Sequence, residues 1–397
     1  MDSLIVKHLK KVTAINTDNQ REISGRIDWN DRAIGIGGQR GVGKTTLILQ
    51  HIKKQFKTDR SALYVSMDDL YFSSNRLLDF AESFVARGGR YLFLDEVHRY
   101  PNWAQEIKNI YDDIPDLHFV FTGSSMLEIS KSKADLSRRV AYYRMPGMSF
   151  REYINHTLKK SFPVISLDAI LKDHTEIAVS MKNEFKPLAL FNEYLQYGYF
   201  PFYSEAPKTF FQRVEEIINT TFDIDIMQLK GLNTTGLIKM KQLLYIIAQS
   251  VPFKPNIVKL SERIGVNRNT LLSYIRHLEE AGIINCLYAS AQGIGILQKP
   301  EKIYLENACF NFALSSTVPE SGTLRETFFI THLKEKHKLT YTEKGDFVVN
   351  EKYVFEVGGR NKTMQQLKGI KNTWIAADDI EIGVDRKVPL WLLGFVY

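Results

Sequence analysis

The sequence has 397 residues, of which 44% are hydrophobic and 24% are charged, and its formal net charge is +7. These values are ordinary for a globular protein and predict about two to four domains, while the basic balance permits an acidic partner or nucleic acid without requiring one. Two cysteines, Cys286 and Cys309, exclude a disulfide framework and a cysteine-based metal cluster, so we expect a cytoplasmic location. We expect no membrane contact, because no apolar run approaches the ~20 residues of a membrane span.

The first motif in the chain follows a short apolar segment, residues 33–37, which reads as a buried strand. Residues 38–46 fit the phosphate-binding pattern G-x-x-x-x-G-K-T, and the residues after them have helical apolar spacing. A strand, a glycine loop and a helix start aim backbone N–H groups at an anion, so this stretch predicts a P-loop that binds ATP. The predicted nucleotide-binding residues here are Gly38, Gln39, Arg40, Gly41, Val42, Gly43, Lys44, Thr45 and Thr46.

A second strand is predicted at residues 61–67, and a third, residues 91–94, ends at Asp95 and Glu96. In a P-loop enzyme the first acid after such a strand helps to hold Mg²⁺ and the second orients the attacking water. The same pair alone would also suit a helix N-cap, but its place after the P-loop favours catalysis. We therefore predict Thr45 and Asp95 as the Mg²⁺ site, with Lys44 and Glu96 as catalytic residues.

The next two strands are predicted at residues 117–121 and 141–145. In a P-loop enzyme the first of these lies between the strand before the P-loop and the strand that ends at Asp95, here called the acid strand. Thr122 or Ser124 at its end can therefore contact the γ-phosphate or the lytic water. Ordinary turn chemistry is the other interpretation of these polar residues. A basic pair ending in Arg139 precedes the last strand and is either an arginine finger, in its own subunit or a neighbour's, or a solvated turn.

These motifs together resemble the prokaryotic AAA+ ATPases of the archaeal-ATPase-like branch. The resemblance is strongest over residues 33–155, and it rests on G-Q-R-G-V-G-K-T-T-L, L-F-L-D-E-V-H-R-Y-P-N-W, F-T-G-S-S and L-S-R-R-V. It implies an α/β ATPase with ATP and Mg²⁺ as cofactors, a homo-oligomer as one assembly, and Arg139 as the finger arginine. The implied segments are a P-loop AAA+ parallel-sheet core at 1–150, a helical lid at 151–235, a winged helix at 236–299 and an α+β PD-(D/E)XK-like domain at 300–397.

Residues 256–284 predict a helix-turn-helix followed by a strand, as in a winged helix. The second helix, residues 268–278, places its apolar residues on one face. The opposite face suits phosphate and base-edge contacts of double-stranded DNA. Its candidate contact residues are Arg268, Asn269, Ser273 and Arg276. The face has only two arginines and no basic run, so packing or protein contact is an equal interpretation.

The C-terminal segment resembles the core of PD-(D/E)XK nucleases. Glu326 falls on a predicted helix, residues 323–336, and Asp346 and Glu356 fall on a predicted hairpin. In that family two acids bind Mg²⁺ and a lysine two residues after the second activates water. Here that position is Gly358. Arg360 or Lys362 could substitute from nearby, although arginine is a poor base. We expect a degenerate nuclease fold, with a metal-dependent nuclease as the alternative.

Overall fold

A computed structural model gives the fold of the chain and describes residues 1–123, 136, 138–227, 232–289, 299–315 and 317–397. The chain divides into two compact units, Met1–Gly147 and Met148–Tyr397. The boundary lies close to residue 150, where we predicted the end of the ATPase core. The further division of the second unit into lid, winged helix and nuclease-like parts stays a prediction, since residues 148–397 form one compact unit.

The first unit alternates helices and strands around one parallel sheet. Its helices are α1 (Asp2–Ala14), α2 (Lys44–Gln55), α3 (Leu77–Ala86) and α4 (Trp103–Asp113), and its strands are β1 (Ala33–Gly37), β2 (Ala62–Ser66), β3 (Tyr91–Asp95), β4 (His118–Gly123) and β5 (Ala141–Arg144). The sheet order is β2-β3-β4-β1-β5 and each pairing is parallel. This order confirms that β4 lies between the P-loop strand and the acid strand.

Burial explains why these short segments form the centre of the sheet. Helices cover both faces of a parallel sheet, so its strands are apolar throughout and do not alternate. All five residues of β1 are buried, as are the last four residues of β3. The carboxyl ends of β1, β3 and β4 therefore meet at one edge, where the P-loop and the two acids follow. Residues 1–30 contain α1 and the short 3-10 helix Glu22–Gly25.

The second unit begins with helices and ends with a mixed sheet. Its helices are α5 (Phe150–Leu158), α6 (Leu167–Lys182), α7 (Pro187–Glu193), α8 (Phe210–Thr220), α9 (Thr234–Ala248), α10 (Ile257–Ile264), α11 (Arg268–Glu280), α12 (Ala308–Leu314) and α13 (Ser321–Leu333). Its strands are β6 (Ile284–Leu287), β7 (Lys302–Leu305), β8 (Leu339–Thr340), β9 (Phe347–Val349), β10 (Tyr353–Gly358), β11 (Thr373–Ala377) and β12 (Lys387–Pro389).

Two sheets are formed by the strands of the second unit. Strands β6 and β7 make an antiparallel pair, and the other five strands follow the order β12-β11-β10-β9-β8. Within the five-stranded sheet, β10 is antiparallel to β9 and parallel to β11. The predicted hairpin that carries Glu356 is therefore confirmed. After β10 the chain forms the short 3-10 helix Met364–Leu367.

The segment predicted as a lid packs against the C-terminal end of its own unit. Arg151 Nε donates a hydrogen bond to the backbone carbonyl of Tyr397 at 3.0 Å, and the ring of Phe162 contacts that of Phe395. Tyr194 and Phe200 are also buried in this unit. Helices at the start of the unit and the end of the chain therefore share one hydrophobic core.

Candidate nucleotide site

The P-loop connects β1 to α2, and two of its glycines stand where a side chain would not fit. Gly43, the N-cap of α2, has a φ of 100°. A Cβ atom at Gly38 would lie 2.3 Å from the carbonyl oxygen of Met145. The loop therefore leads directly into the start of a helix, where free backbone N–H groups and the positive end of the helix dipole attract phosphate.

Lys44 is buried inside this loop, with 5% of its surface exposed. Its Nζ donates hydrogen bonds to the carbonyl oxygens of Gly38 at 2.8 Å and Gln39 at 3.0 Å. These bonds hold the ammonium group against the backbone that would surround a phosphate chain. A positive charge at this position suits the β- and γ-phosphates of a nucleotide.

Asp95 ends β3, and its carboxylate is held by hydroxyl groups from three different elements. Thr45 Oγ1 donates to Oδ2 at 2.7 Å and Tyr64 OH donates to the same oxygen at 2.8 Å, while Thr122 Oγ1 donates to Oδ1. The hydroxyl of Thr45 and the carboxylate of Asp95 are the oxygen donors that Mg²⁺ prefers, so this pair fits the metal. Bound there, Mg²⁺ would neutralise negative charge on the phosphates.

Tyr64 is a site residue that the sequence reading missed. Burial raises the pKa of Tyr64, and the negative charge of Asp95 raises it further, so the phenol stays protonated and donates to that carboxylate. Tyr64 lies on β2, the strand paired with β3, opposite Phe93. The sequence signal for Tyr64 was its hydroxyl group, because the rest of the strand next to the acid strand is mainly apolar.

Glu96 lies directly beyond Asp95 and faces two basic side chains. Its backbone has a φ of 55°, and its N–H donates to Thr122 Oγ1 at 3.1 Å. Its Oε2 lies 3.6 Å from Arg40 Nη1 and 3.4 Å from His98 Nε2. A left-handed backbone at a residue other than glycine costs about 1–3 kcal/mol and is typical of functional sites. The predicted water-orienting carboxylate therefore contacts the P-loop through Arg40, together with His98, which the sequence reading also missed.

Arg139 is not brought to the P-loop of its own chain. Its guanidinium makes two hydrogen bonds to Asp112, at 2.8 and 2.9 Å. Gly37, the last residue before the P-loop, pairs with Arg144 at the far end of β5, whereas Arg139 precedes the start of that strand. This placement does not fit an arginine finger for its own subunit, so a role at a neighbour's nucleotide stays a prediction. Ser124, the other predicted γ-phosphate contact, lies outside the described residues.

The four predicted DNA-contact residues lie on α11. Arg268, Asn269 and Arg276 are exposed and Ser273 is half-buried. Arg268, Asn269 and Ser273 line one groove of about 570 Å³. Arg276 Nε instead donates to Glu280 Oε1 at 2.7 Å, one turn along the helix. The structure therefore leaves Arg268 as the more accessible of the two predicted phosphate-binding arginines.

The three acids of the predicted nuclease-like site come together, each beside a lysine. Lys302 Nζ lies 3.2 Å from Glu326 Oε2 and 3.0 Å from Asp346 Oδ1. Lys362 Nζ lies 2.5 Å from Glu356 Oε1. Lys302 lies on β7 and was missed, because the sequence does not indicate which strand packs against these acids.

Comparison with known families covers two parts of the chain. Residues 30–154, which include β1 to β5, the P-loop and Asp95, match a family described as AAA domain. This match supports nucleotide binding at the P-loop described above. Residues 188–317 match a family described as a domain of unknown function (DUF8612).

Three individual proteins are similar to this chain over most of its length. The uncharacterized protein MJ1637 of Methanocaldococcus jannaschii is 25% identical over 429 residues, which cover 97% of this chain and 88% of that protein. The Walker-type ATPase PABY2304 of Pyrococcus abyssi is 12% identical; the match covers 78% of this chain and 94% of that one, with a TM-score of 0.39. AMPPCP-bound DnaA from Aquifex aeolicus is 16% identical; the match covers 65% of this chain and 85% of that one, with a TM-score of 0.25.

A membrane-spanning helix was not expected, and the described part of the chain contains no helix with both the length and the apolar character to cross a bilayer.

Proposed function

We propose that this chain is a Mg²⁺-dependent ATPase that couples ATP hydrolysis to a conformational change in residues 148–397. The contact between Thr45 and Asp95 at the mouth of the P-loop is the observation that carries this proposal. Lys44 binds the β- and γ-phosphates, Thr45 and Asp95 hold the metal, and Glu96 polarises the attacking water. Hydrolysis then changes the charge at an edge of the sheet where these side chains already contact one another.

An oligomer is part of this proposal, with Arg139 acting on a neighbour's nucleotide. Two hydrogen bonds to Asp112 pre-orient its guanidinium at the edge of the sheet opposite its own P-loop. A guanidinium supplied by a second subunit stabilises the charge that develops on the γ-phosphate in the transition state. Turnover per chain would then depend on the protein concentration.

The test is phosphate release measured over a wide range of protein concentration, with and without duplex DNA. We expect Mg²⁺-dependent turnover whose rate per chain rises with concentration and then reaches a plateau. A rate per chain that stays constant on dilution would remove Arg139 from the proposal. No ATP turnover at any concentration would contradict the ATPase assignment itself.

A second candidate function is a slow nucleotide-gated switch whose output is DNA binding, and the elements after residue 232 favour it. Helices α9, α10 and α11 precede the antiparallel pair β6 and β7, which is the element order of a winged helix. Arg268 and Asn269 are exposed at the first turn of α11, where a recognition helix contacts a duplex. The DNA duplex would therefore contact the N-terminal end of α11, which lines the groove.

Gel-shift affinity for a duplex tests this second function. We expect Arg268→Glu to weaken binding at least 10-fold, because a phosphate contact becomes a repulsion. Arg276→Glu should have a smaller effect, since Glu280 already pairs with that arginine. Arg213→Glu, an exposed charge reversal on α8, is the matched control. If Arg268→Glu and Arg213→Glu bind equally well, α11 does not contact DNA.

A further inference from the structure

The acidic cluster in the second unit is already satisfied by groups of the protein. Lys302 is buried, with 6% of its surface exposed, and its ammonium bridges Glu326 and Asp346. Tyr304, two residues further along β7, donates its hydroxyl to Glu326 Oε2 at 2.7 Å. The backbone N–H of Val357 donates to Asp346 Oδ2 at 2.9 Å. Oxygens on two of the three carboxylates are therefore used as acceptors by the chain itself.

The third carboxylate, Glu356, is paired by a lysine whose stem passes over a glycine. A Cβ atom at Gly358 would lie 2.8–2.9 Å from three side-chain carbons of Lys362. Any side chain at position 358 would therefore collide with the Lys362 stem. Through this gap Lys362 Nζ reaches Glu356 Oε1 at 2.5 Å. The absent lysine at position 358 is thus replaced in space by Lys362, which makes an ion pair with the acid.

Charge and ligand geometry both disfavour a divalent cation at this cluster. The carboxylates of Glu326, Asp346 and Glu356 face the ammonium groups of Lys302 and Lys362, so an added divalent ion would leave the cluster with a net positive charge. Among the residues that the structure describes, no three His, Cys, Asp or Glu side chains are placed to ligate one ion. The metal implied by the nuclease resemblance does not fit these residues.

The ammonium of Lys302 and the carboxylates of the cluster affect each other's pKa. Burial lowers the pKa of Lys302, but the carboxylates of Glu326 and Asp346 outweigh it and raise that pKa above its ordinary value. Burial, and then the charge of Asp346, raise the pKa of Glu326. Removing one partner of such a buried set leaves an uncompensated charge, so the members depend on each other.

We propose that the ammonium of Lys302 takes the place of a divalent cation between Glu326 and Asp346, and that the cluster is a metal-independent ionic junction. The junction joins β7, whose partner β6 follows α11, to the helix and sheet that carry the acids. The cluster therefore connects parts of the second unit, and the ammonium of Lys302 on β7 neutralises carboxylates that a metal ion would neutralise in an active nuclease.

Electron paramagnetic resonance of Mn²⁺ tests this proposal on the full chain without nucleotide. We expect the wild type and Asp346→Asn to bind the same number of ions, because the P-loop contributes equally in both. Lys302→Ala removes the ammonium between the two carboxylates, so that these two groups together with water can hold an ion, and should bind one additional Mn²⁺ per chain. That ion should be lost in Lys302→Ala combined with Asp346→Asn.

Three results would overturn the proposal. The first is an Mn²⁺ ion that the wild type binds and Asp346→Asn does not. The second is Mn²⁺-dependent plasmid cleavage by the wild type that Asp346→Asn abolishes. The third is a folded Lys302→Ala protein that gains no ion. If Lys302→Ala does not fold, the comparison of wild type with Asp346→Asn still decides whether the cluster binds metal. All of these measurements are independent of ATP hydrolysis.

Discussion

Thr45 and Asp95 are joined by a hydrogen bond of 2.7 Å between the start of α2 and the end of β3. Tyr64 and Thr122 donate to the same carboxylate from the neighbouring strands. The oxygen groups of the proposed metal site are therefore positioned by the sheet itself. Substitutions at this edge are expected to change nucleotide chemistry more than they change the fold.

Replacement of Lys44 by alanine removes the ammonium that lies against the P-loop carbonyls. Charge-assisted hydrogen bonds contribute about 1.5–3 kcal/mol each, so we expect ATP affinity to fall by about 100-fold or more. Titration with a fluorescent ATP analogue and phosphate release measure the loss. Lys54→Ala, an exposed lysine on the same helix, should behave as wild type. Wild-type hydrolysis by Lys44→Ala would contradict the site.

Replacement of Glu96 by glutamine keeps the size of the side chain but removes its charge. We expect turnover to fall by about 100-fold or more, which is the usual contribution of a positioned acid or base. ATP affinity should change little, because Glu96 contacts Arg40 and His98 beside the loop. Comparing single-turnover hydrolysis with equilibrium binding separates these effects. Glu82→Gln, exposed on α3, is the control, and an equal loss in both variants would exclude a specific role for Glu96.

The arrangement of the first unit was predictable because it follows from strand order. Apolar segments followed by glycine or acidic residues identify parallel strands, whose carboxyl ends meet at one edge. The same rule places Arg139, which precedes its strand, at the opposite edge. The contacts of Tyr64 and His98 with these acids were not predictable from the sequence, since they depend on strand register and on the turn after Asp95. Lys302 was missed for a similar reason, because its pairing with distant acids is set by tertiary packing.

Replacement of Arg139 by alanine separates an effect within one subunit from an effect between subunits. At concentrations so low that turnover per chain no longer changes on dilution, we expect Arg139→Ala to stay within about 2-fold of wild type, because its guanidinium pairs with Asp112 away from its own P-loop. At high concentration its turnover should fall by about 10³-fold or more relative to wild type. Phosphate release at both concentrations measures the difference.

Mixing two inactive variants provides the control for this prediction. Arg139→Ala and Glu96→Gln chains should regain activity when combined at high concentration, since each supplies the residue that the other lacks. Asp112→Asn should cause a smaller loss than Arg139→Ala, because it removes the charge that orients the guanidinium but keeps the arginine. A loss of turnover by Arg139→Ala in dilute solution would place the residue at its own nucleotide.

His332 should make the second unit less stable as the pH falls. The side chain is fully buried on α13, and its Nε2 accepts a hydrogen bond from the N–H of Phe150 at 3.2 Å. Burial lowers its pKa from 6.5 to about 3. Between these two pH values the unfolded chain binds a proton that the folded chain does not. The contribution of neutral His332 to stability is therefore fully present above pH 6.5 and is lost progressively below it.

Thermal or urea unfolding at pH 7 and pH 5 measures this dependence. His332 is expected to account for about 1–2 kcal/mol of the stability lost over this interval, because one pKa unit corresponds to about 1.4 kcal/mol. His332→Gln keeps an acceptor for the N–H of Phe150 but does not titrate, so its stability should fall less between the two pH values. A loss equal to that of wild type would show that His332 is protonated in the folded chain, or that other groups cause the dependence.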